Sequence, residues 1–378
     1  MSSWPGKYVI GLTGNIATGK SVVRKMLEHL GAYSIDADAL SHRAIAKGAP
    51  GYQKVIDNFG KYILDGNDEI DRTKLGRLVF SDAEALKKLE EIIHPLVEQA
   101  VDLMIQRAGQ RIVVLEAIKL LEGKLYKACD TIWVTVAPET LQVSRLMHKR
   151  KITEEDALQR IHAQPSQESK TAAANVVIQN TASFEDTWKQ VVTAWKLISP
   201  NTDVKAEPPI LKAPDSELSV QRGRPRDSAK IAELITRLTS GVQTLNSDDV
   251  MAAFGEKAFL LLLADKELVG LAGWQVENLV ARTTDLYLDA KIPVGQALKI
   301  LATEVERASQ DLQCEAALFF LPPQLAGQES VWKELGYTRR TPQTLGVQAW
   351  QDAAIESQPP NTILLFKQLR LDRVLRPI

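Results

Sequence analysis

Cysteine is nearly missing from the 378 residues: Cys129 and Cys314 lie far apart and in no metal-ligand spacing. That argues against a disulfide framework or a zinc site and fits a reducing, cytoplasmic setting. An excess of either charge is missing too, since 46 basic residues face 47 acidic ones. No broad field therefore favours nucleic acid or an acidic membrane, and a small anionic ligand would need only a local positive site. No apolar run is longer than a strand, so no membrane span is expected. The opening MSSWPGKYVIGLTG runs straight into a strand-like segment without the pattern of a signal peptide. Repeats and low-complexity tracts that would suggest a solenoid are also lacking. What remains is an ordinary globular composition, 45% hydrophobic and 25% charged. The length exceeds what one hydrophobic core organises, which points to two domains.

From residue 1 to about 199, short β-branched runs alternate with amphipathic stretches, the pattern of a parallel sheet with helical crossovers. Strands are expected at Lys7 to Leu12, Tyr33 to Asp36, Arg111 to Glu116, Thr131 to Thr135 and Asn175 to Ile178. Helices are expected at Thr18 to Leu30, Asp82 to Ala108, Pro138 to Arg150 and Thr153 to Ala163, with Pro95 able to bend the second. Residues 200–218 hold four prolines and no sustained periodicity, and read as a linker. A second domain over 219–378 then offers a helix at Ala229 to Leu238, a hairpin from Phe259 to Gln275 and a strand at Thr284 to Leu288. A helix at Gln296 to Ser309, a strand at Ala316 to Leu321, a short helix at Ser330 to Leu335 and a strand at Thr362 to Gln368 follow. The prolines between the two lead us to expect separately folding units, each with its own core.

The strongest chemical signal is Gly14-Asn15-Ile16-Ala17-Thr18-Gly19-Lys20-Ser21, an unbroken G-x-x-x-x-G-K-[ST] between a strand and a helix. Glycines let the backbone wrap so that successive N–H groups point at phosphate oxygens, and the helix dipole adds to their field. Lys20, expected on an exposed loop, would contact the β- and γ-phosphates of ATP, and Ser21 would ligate Mg²⁺. Asp36 and Asp38 follow at a strand end, where open parallel sheets collect ligands, and the two-residue period would set both carboxylates on one face. One can deprotonate an attacking hydroxyl while the other holds Mg²⁺-bound water. The same residues also suit an acidic turn that caps the next helix.

These features resemble dephospho-CoA kinase over residues 7 to 195. The resemblance rests on Ile10 to Ser21, Ile35 to Asp38, and Asp71-Arg72 with Leu75, Val79 and Phe80. His94-Pro95, Gln142 to Arg145, Ala163-Gln164 and Val177-Ile178 to Asn180 complete it. It implies a P-loop NTPase fold, a three-layer α/β parallel sheet with a helical lid, that phosphorylates the ribose 3′-hydroxyl of dephospho-CoA with ATP. By resemblance Asp38 is the catalytic base, Thr13 lies near the transferred phosphate, and Arg145 is a lid arginine on the ATP phosphates. A planar guanidinium suits that task, although Arg145 also belongs to a basic run, His148 to Lys151, that could be a solvated face. His94 would shape the acceptor pocket or be merely structural. Three departures stand out: Glu116-Ala117-Ile118 where the family usually has D-x-P, Asn175 in place of an aspartate, and Asn15 and Ala17 in place of glycines. The last is tolerable if neither position needs a positive φ. Glu116 could still act through water.

The order of elements after residue 219 resembles the GNAT acetyltransferases, a mixed α/β fold, and Leu335-Gly336-Tyr337 resembles their L-G-F element. The resemblance implies a CoA or acetyl-CoA pyrophosphate site at Lys291 to Ala297, where Gly295 and Ala297 fit and Ile292 replaces a polar residue. Glu304 and Glu306 read as the solvated face of their helix. Two other functions stay open for the first domain: another small-molecule P-loop kinase with a nucleoside-type acceptor, or a CoA-sensing or protein-binding module on an inactive kinase scaffold.

Overall fold

A computed structural model describes residues 4–199, 211–212 and 218–371, except the side chains of Phe80, Leu211 and Lys212. Near-continuous apolar runs form β1 (Tyr8–Thr13), β2 (Tyr33–Asp36), β3 (Ile112–Glu116), β4 (Thr131–Val136) and β5 (Val176–Gln179). They pair in parallel in the order β2-β3-β1-β4-β5. Both faces are buried, as strand runs such as Val113, Val114 and Leu115 require. The helices are α1 (Lys20–His29), α2 (Ala37–Ala44), α3 (Tyr52–Phe59), α4 (Arg72–Ser81), α5 (Ala83–Arg107), α6 (Glu139–Arg150), α7 (Glu154–His162), α8 (Gln167–Thr171) and α9 (Phe184–Ile198).

Val23, Met26 and Leu27 of α1 join Val191 and Trp195 of α9 on one face of the sheet. Leu40 and Ala44 of α2 join Val97, Val101 and Met104 of α5 on the other. These are the three layers expected. The pair α6 and α7 buries Val143, Leu146, Ala157 and Ile161 against Ile16 and Ala17 of the phosphate loop, which makes it the helical cover of that loop. Helix α5 runs through Pro95 without ending, started by Asp82, whose carboxylate accepts from the N–H groups of Glu84 and Ala85.

The second sheet has β6 (Leu211–Lys212), β7 (Leu218–Arg222), β8 (Ala258–Ala264), β9 (Glu267–Glu277), β10 (Val280–Leu288), β11 (Ala316–Leu321), β12 (Thr338–Arg340) and β13 (Ile363–Gln368). Their order is β12-β13-β11-β10-β9-β8-β7-β6. Every described pairing is antiparallel except β10 with β11, so the sheet is mixed. Those two strands pair only from Val280 to Thr283; past a register shift at Thr284, β10 continues on β9 alone. Among the described residues six α-helices accompany the sheet: α10 (Ser228–Leu238), α11 (Ser247–Ala253), α12 (Val294–Asp311), α13 (Pro323–Ala326), α14 (Glu329–Glu334) and α15 (Gln348–Ser357). The linker expectation needs correction at its end, because Leu211–Lys212 and Leu218 are strand residues. Residues 200–210 and 213–217 lie outside the described residues.

The two sheets do not keep separate cores. At the tip of the β9–β10 hairpin, Asn278 and Leu279 both take positive φ, 53° and 60°, the signature of a type I′ turn. The turn drives Leu279 into the apolar cluster of α2, α5 and β3. Around it Arg43 donates to the Asn278 carbonyl at 2.9 Å and pairs with the buried Glu315, while Gln313 donates to the Met104 carbonyl at 2.9 Å. Helix α1 adds Lys25 to the Val276 carbonyl at 3.2 Å and His29 to the Phe254 carbonyl at 2.8 Å. Phe184 of α9 packs into the Phe254 cluster of the second unit. Independent cores were expected because linker composition reports on the connection; the apolar turn that bridges the units is one leucine in a hairpin.

Candidate active site

Conformation rather than sequence identity decides which loop residues are irreplaceable. Gly19 takes φ 95°, and a Cβ there would fall 1.8 Å from Asn180 Nδ2, so only glycine fits. Gly14 is extended further, at φ 148°, and a Cβ would meet Thr135 Oγ1 at 2.4 Å. Ala17 adopts φ 59°, so the condition for a strain-free side chain, that the position needs no positive φ, is not met here. The strain costs about 1–2 kcal/mol, and packing of Ala17 under α6 and α7 offsets part of it. Asn15 has no such problem: it is buried, and its Nδ2 donates to the Pro165 carbonyl at 2.8 Å. Ile16 N–H donates to Gln164 Oε1 at 2.7 Å, and Thr18 Oγ1 reaches the Asn15 carbonyl at 2.8 Å.

Lys20 is not an exposed loop residue. It is buried, with Nζ 3.2 Å from the Asn15 carbonyl, and burial lowers its pKa against the opposing pull of Glu116, Asp38 and Asp36. Ser21, the next residue, is exposed at the start of α1.

The two aspartates divide their tasks. Strand β2 ends at Asp36 and Asp38 already belongs to α2, so the two-residue strand period does not apply between them. Asp36 caps α2 by accepting from Ala39 N–H at 2.9 Å, the capping alternative, while Asp38 Oδ2 accepts from Ile118 N–H at 3.0 Å. Burial raises the Asp38 carboxyl, that N–H lowers it, and Asp36 raises it again. The Ile118 carbonyl in turn accepts from Thr13 Oγ1 at 3.1 Å and Lys170 Nζ at 2.6 Å. The backbone N–H and carbonyl of this one residue thus gather Thr13, Asp38 and Lys170. Lys170 was missed in the sequence because a lone lysine in a short polar helix carries no spacing signal; it is buried here, which lowers its pKa.

Arg145 is not on a solvated face: its Nη1 and Nη2 donate to the carbonyls of Ala17 at 3.1 Å and Asn180 at 3.0 Å. Asn180 also donates to the Thr18 carbonyl at 2.9 Å, so the end of β5 braces the loop. Glu116 is buried 2.6 Å from Arg24 Nε, a charge pair without the alignment of a hydrogen bond. Burial raises its pKa against the opposing Arg24. His94 is exposed on α5 and makes no hydrogen bond to these groups. Asn175, the other departure, donates nothing to the site; its Oδ1 accepts from Ile132 N–H at 2.7 Å at the start of β4.

No three histidine, cysteine or acidic side chains cluster as a metal cage among the described residues. The donor chemistry is compatible with Mg²⁺ held mainly by nucleotide phosphates and water, which is its usual mode at kinase sites; Ser21 and nearby carboxylates would complete such a set. No helix among the described residues is long and apolar enough to cross a membrane.

A family model described as dephospho-CoA kinase matches residues 8–186. The dephospho-CoA kinase of Carboxydothermus hydrogenoformans is 43% identical over 194 residues, covering 50% of this chain and 94% of that protein. The Bacillus licheniformis enzyme is 41% identical over 189 residues, covering 48% and 92%. Among solved structures, the PaiA N-acetyltransferase of Thermoplasma acidophilum in complex with coenzyme A covers 40% of this chain and 98% of its own, at 12% identity and a TM-score of 0.31.

Proposed function

This chain belongs to the dephospho-CoA kinase family, and from that premise we propose that Asp38, Lys20, Thr13, Lys170 and Arg145 carry out ATP-dependent phosphorylation of dephospho-CoA. The product pair is coenzyme A and ADP. The observation that carries the residue roles is the convergence of Thr13, Asp38 and Lys170 on the backbone N–H and carbonyl of Ile118 beside the phosphate loop. With Oδ2 held by Ile118 N–H, Asp38 Oδ1 remains to accept the proton of the ribose 3′-hydroxyl. The hydroxyl oxygen then bonds to the γ-phosphorus as the bond to the β,γ-bridging oxygen breaks and ADP departs. A pKa raised by burial brings the carboxylate closer to the working range of a general base.

Lys20 and the loop N–H groups hold the phosphates, and Mg²⁺, when bound with the nucleotide, neutralises their charge. Arg145 grips loop carbonyls through a planar fork, and the same fork suits equatorial phosphoryl oxygens. The test is turnover against a panel of acceptors, with ADP release and product mass read together. Dephospho-CoA should be strongly preferred; preference for a nucleoside, or no turnover, would overturn the assignment.

For the second unit, CoA or acetyl-CoA binding where β10 leaves β11 and α12 begins is the reading favoured by that divergence. Ile292, however, packs into the apolar core instead of facing a ligand, and Gly295 is a helical residue beside Val331. Weak binding follows. Calorimetry of the full chain saturated with ADP and dephospho-CoA decides it: no heat from acetyl-CoA up to about millimolar would remove this site.

A further inference from the structure

Between the two sheets, at the far end of α12 from its first turn, lies a cavity of about 240 Å³. Its walls include Glu28 near the end of α1, Gln110, Arg222 of β7, Trp274 of β9, and Glu304 and Arg307 of α12. Glu304 was expected on a solvated helix face; it is buried here, and Glu306 is tied to Lys367 at 2.6 Å. The carboxylates around this cavity are already engaged. Glu28 pairs with Lys25 at 2.7 Å and Arg24 at 3.4 Å, and accepts from Ser34. Glu304 and Asp311 are both bound by Arg307 at 2.7 Å.

Arg222 is left over. Glu28 and Glu304 act on its charge from a distance, yet no ion pair or hydrogen bond joins it to another described residue, and its buried Nε has no partner. Trp274, 3% exposed, has an indole N–H without a partner, and Gln110 Oε1 is buried and unpartnered as well. Arg222 is half-buried, and its orphaned Nε, like the Trp274 indole N–H, loses free energy that an acceptor would restore. A ligand that satisfies Arg222 and Trp274 must bring acceptor oxygens with negative charge, and the volume admits a small organic body behind them.

We propose that this junction is a binding site for a small oxyanion, a carboxylate or phosphate, held by Arg222 and the Trp274 indole of the second unit beside the end of the phosphate-loop helix. It is separate from the phosphate loop, since none of its walls is a loop residue. Its occupant bears on the docking of the units, because Glu28 and Arg222 come from opposite sides of the junction.

The test uses the full chain, nitrogen-labelled and saturated with Mg²⁺ and ADP so that the phosphate loop is filled. The indole resonance of Trp274, identified by its loss in Trp274→Phe, is followed while inorganic phosphate and, separately, malonate are added. At least one should move it saturably with half-effect at or below about a millimolar, and the more effective of the two names the oxyanion chemistry. Arg222→Met should weaken the effect by about tenfold or more, and Arg222→Lys by several-fold, because the ammonium keeps the charge and loses the fork. No movement with either anion at about 20 mM, well above the range of a built site, shows a water-filled gap and overturns the proposal. A lysine variant that titrates like the parent overturns it too, and this comparison holds even where the methionine variant does not fold.

Discussion

Ile118→Pro isolates a single hydrogen bond in the proposed site. The Ile118 N–H is the backbone donor that holds Asp38 Oδ2 at 3.0 Å, and proline has no N–H, while the carbonyl that binds Thr13 and Lys170 is kept. A hydrogen bond to a charged acceptor contributes about 1.5–3 kcal/mol, and about 1.4 kcal/mol corresponds to one pKa unit. Removing it stabilises the protonated acid relative to the carboxylate, in the same direction as the burial that already raises Asp38. Asp38 accepts a proton only when ionised, so the acid limb of the kcat against pH profile should move upward by about one to two pH units. Above that limb the variant should regain most of its rate. The KM for ATP should hold, since the loop contacts of Asn15, Ile16 and Lys20 do not involve residue 118. The measurement is kcat from pH 5 to 9, repeated with a backbone ester at 118 that removes the donor without adding a ring. A limb that stays within about half a unit in the ester protein would refute the role given to this N–H.

Asp38→Asn should lower kcat by about 10²-fold or more while leaving ATP affinity unchanged. Because the folded pKa of Asp38 is raised, its contribution to stability is present below the unfolded value of 3.8 and is lost as pH rises, so the neutral amide should match or raise Tm at pH 7; a clear fall in Tm would mark a structural carboxylate. Arg145→Lys should slow turnover by about tenfold, since an ammonium cannot hold both the Ala17 and Asn180 carbonyls or grip phosphate bidentately; unchanged kinetics would return it to a surface role. His29 is held to about 3 by burial first and Arg222 second, so it binds a proton more readily unfolded than folded. Stability should fall as pH drops from about 6.5 toward 3, at up to about 1.4 kcal/mol per pH unit from this residue; denaturant melts of His29→Gln that keep the full slope would refute it.

The elements that the sequence made legible are those whose pattern is local and long. Tyr33–Asp36 and Ala316–Leu321 begin and end where alternation and apolar runs put them, and α5 differs from its expected span only at its caps. The phosphate loop was legible because eight residues in fixed order have one chemical use. Helices α3 and α4 are short, and their apolar residues Val55, Phe59, Leu75 and Val79 face a satellite cluster that no single periodicity reveals. Lys170 and the Ile118 peptide were invisible for another reason: a backbone N–H carries no side-chain identity, so its meeting with Asp38, 80 positions away, exists only in the fold. The positive φ of Ala17 is of the same kind, a conformation that the residue type disfavours and the packing of α6 and α7 imposes.

Helix α1 joins these observations into one physical argument about the two units. Its first turn carries Lys20 and Ser21; one and two turns later Arg24 pairs with Glu116, Lys25 reaches the Val276 carbonyl, and His29 reaches that of Phe254. Burial alone would pull Arg24 down and push Glu28 up, yet Glu116 and Glu28 raise the former, and Lys25 and Arg24 hold the latter to about 2. These charges are mutually dependent, because removing one partner from a buried network leaves the others uncompensated, a loss of about 3–5 kcal/mol. Undocking the second unit would remove Val276, Phe254 and Leu279 from their partners and expose this network to water. The helix that presents Lys20, the lysine proposed to bind phosphate, is therefore part of the junction, and local opening there is energetically tied to the geometry of the loop.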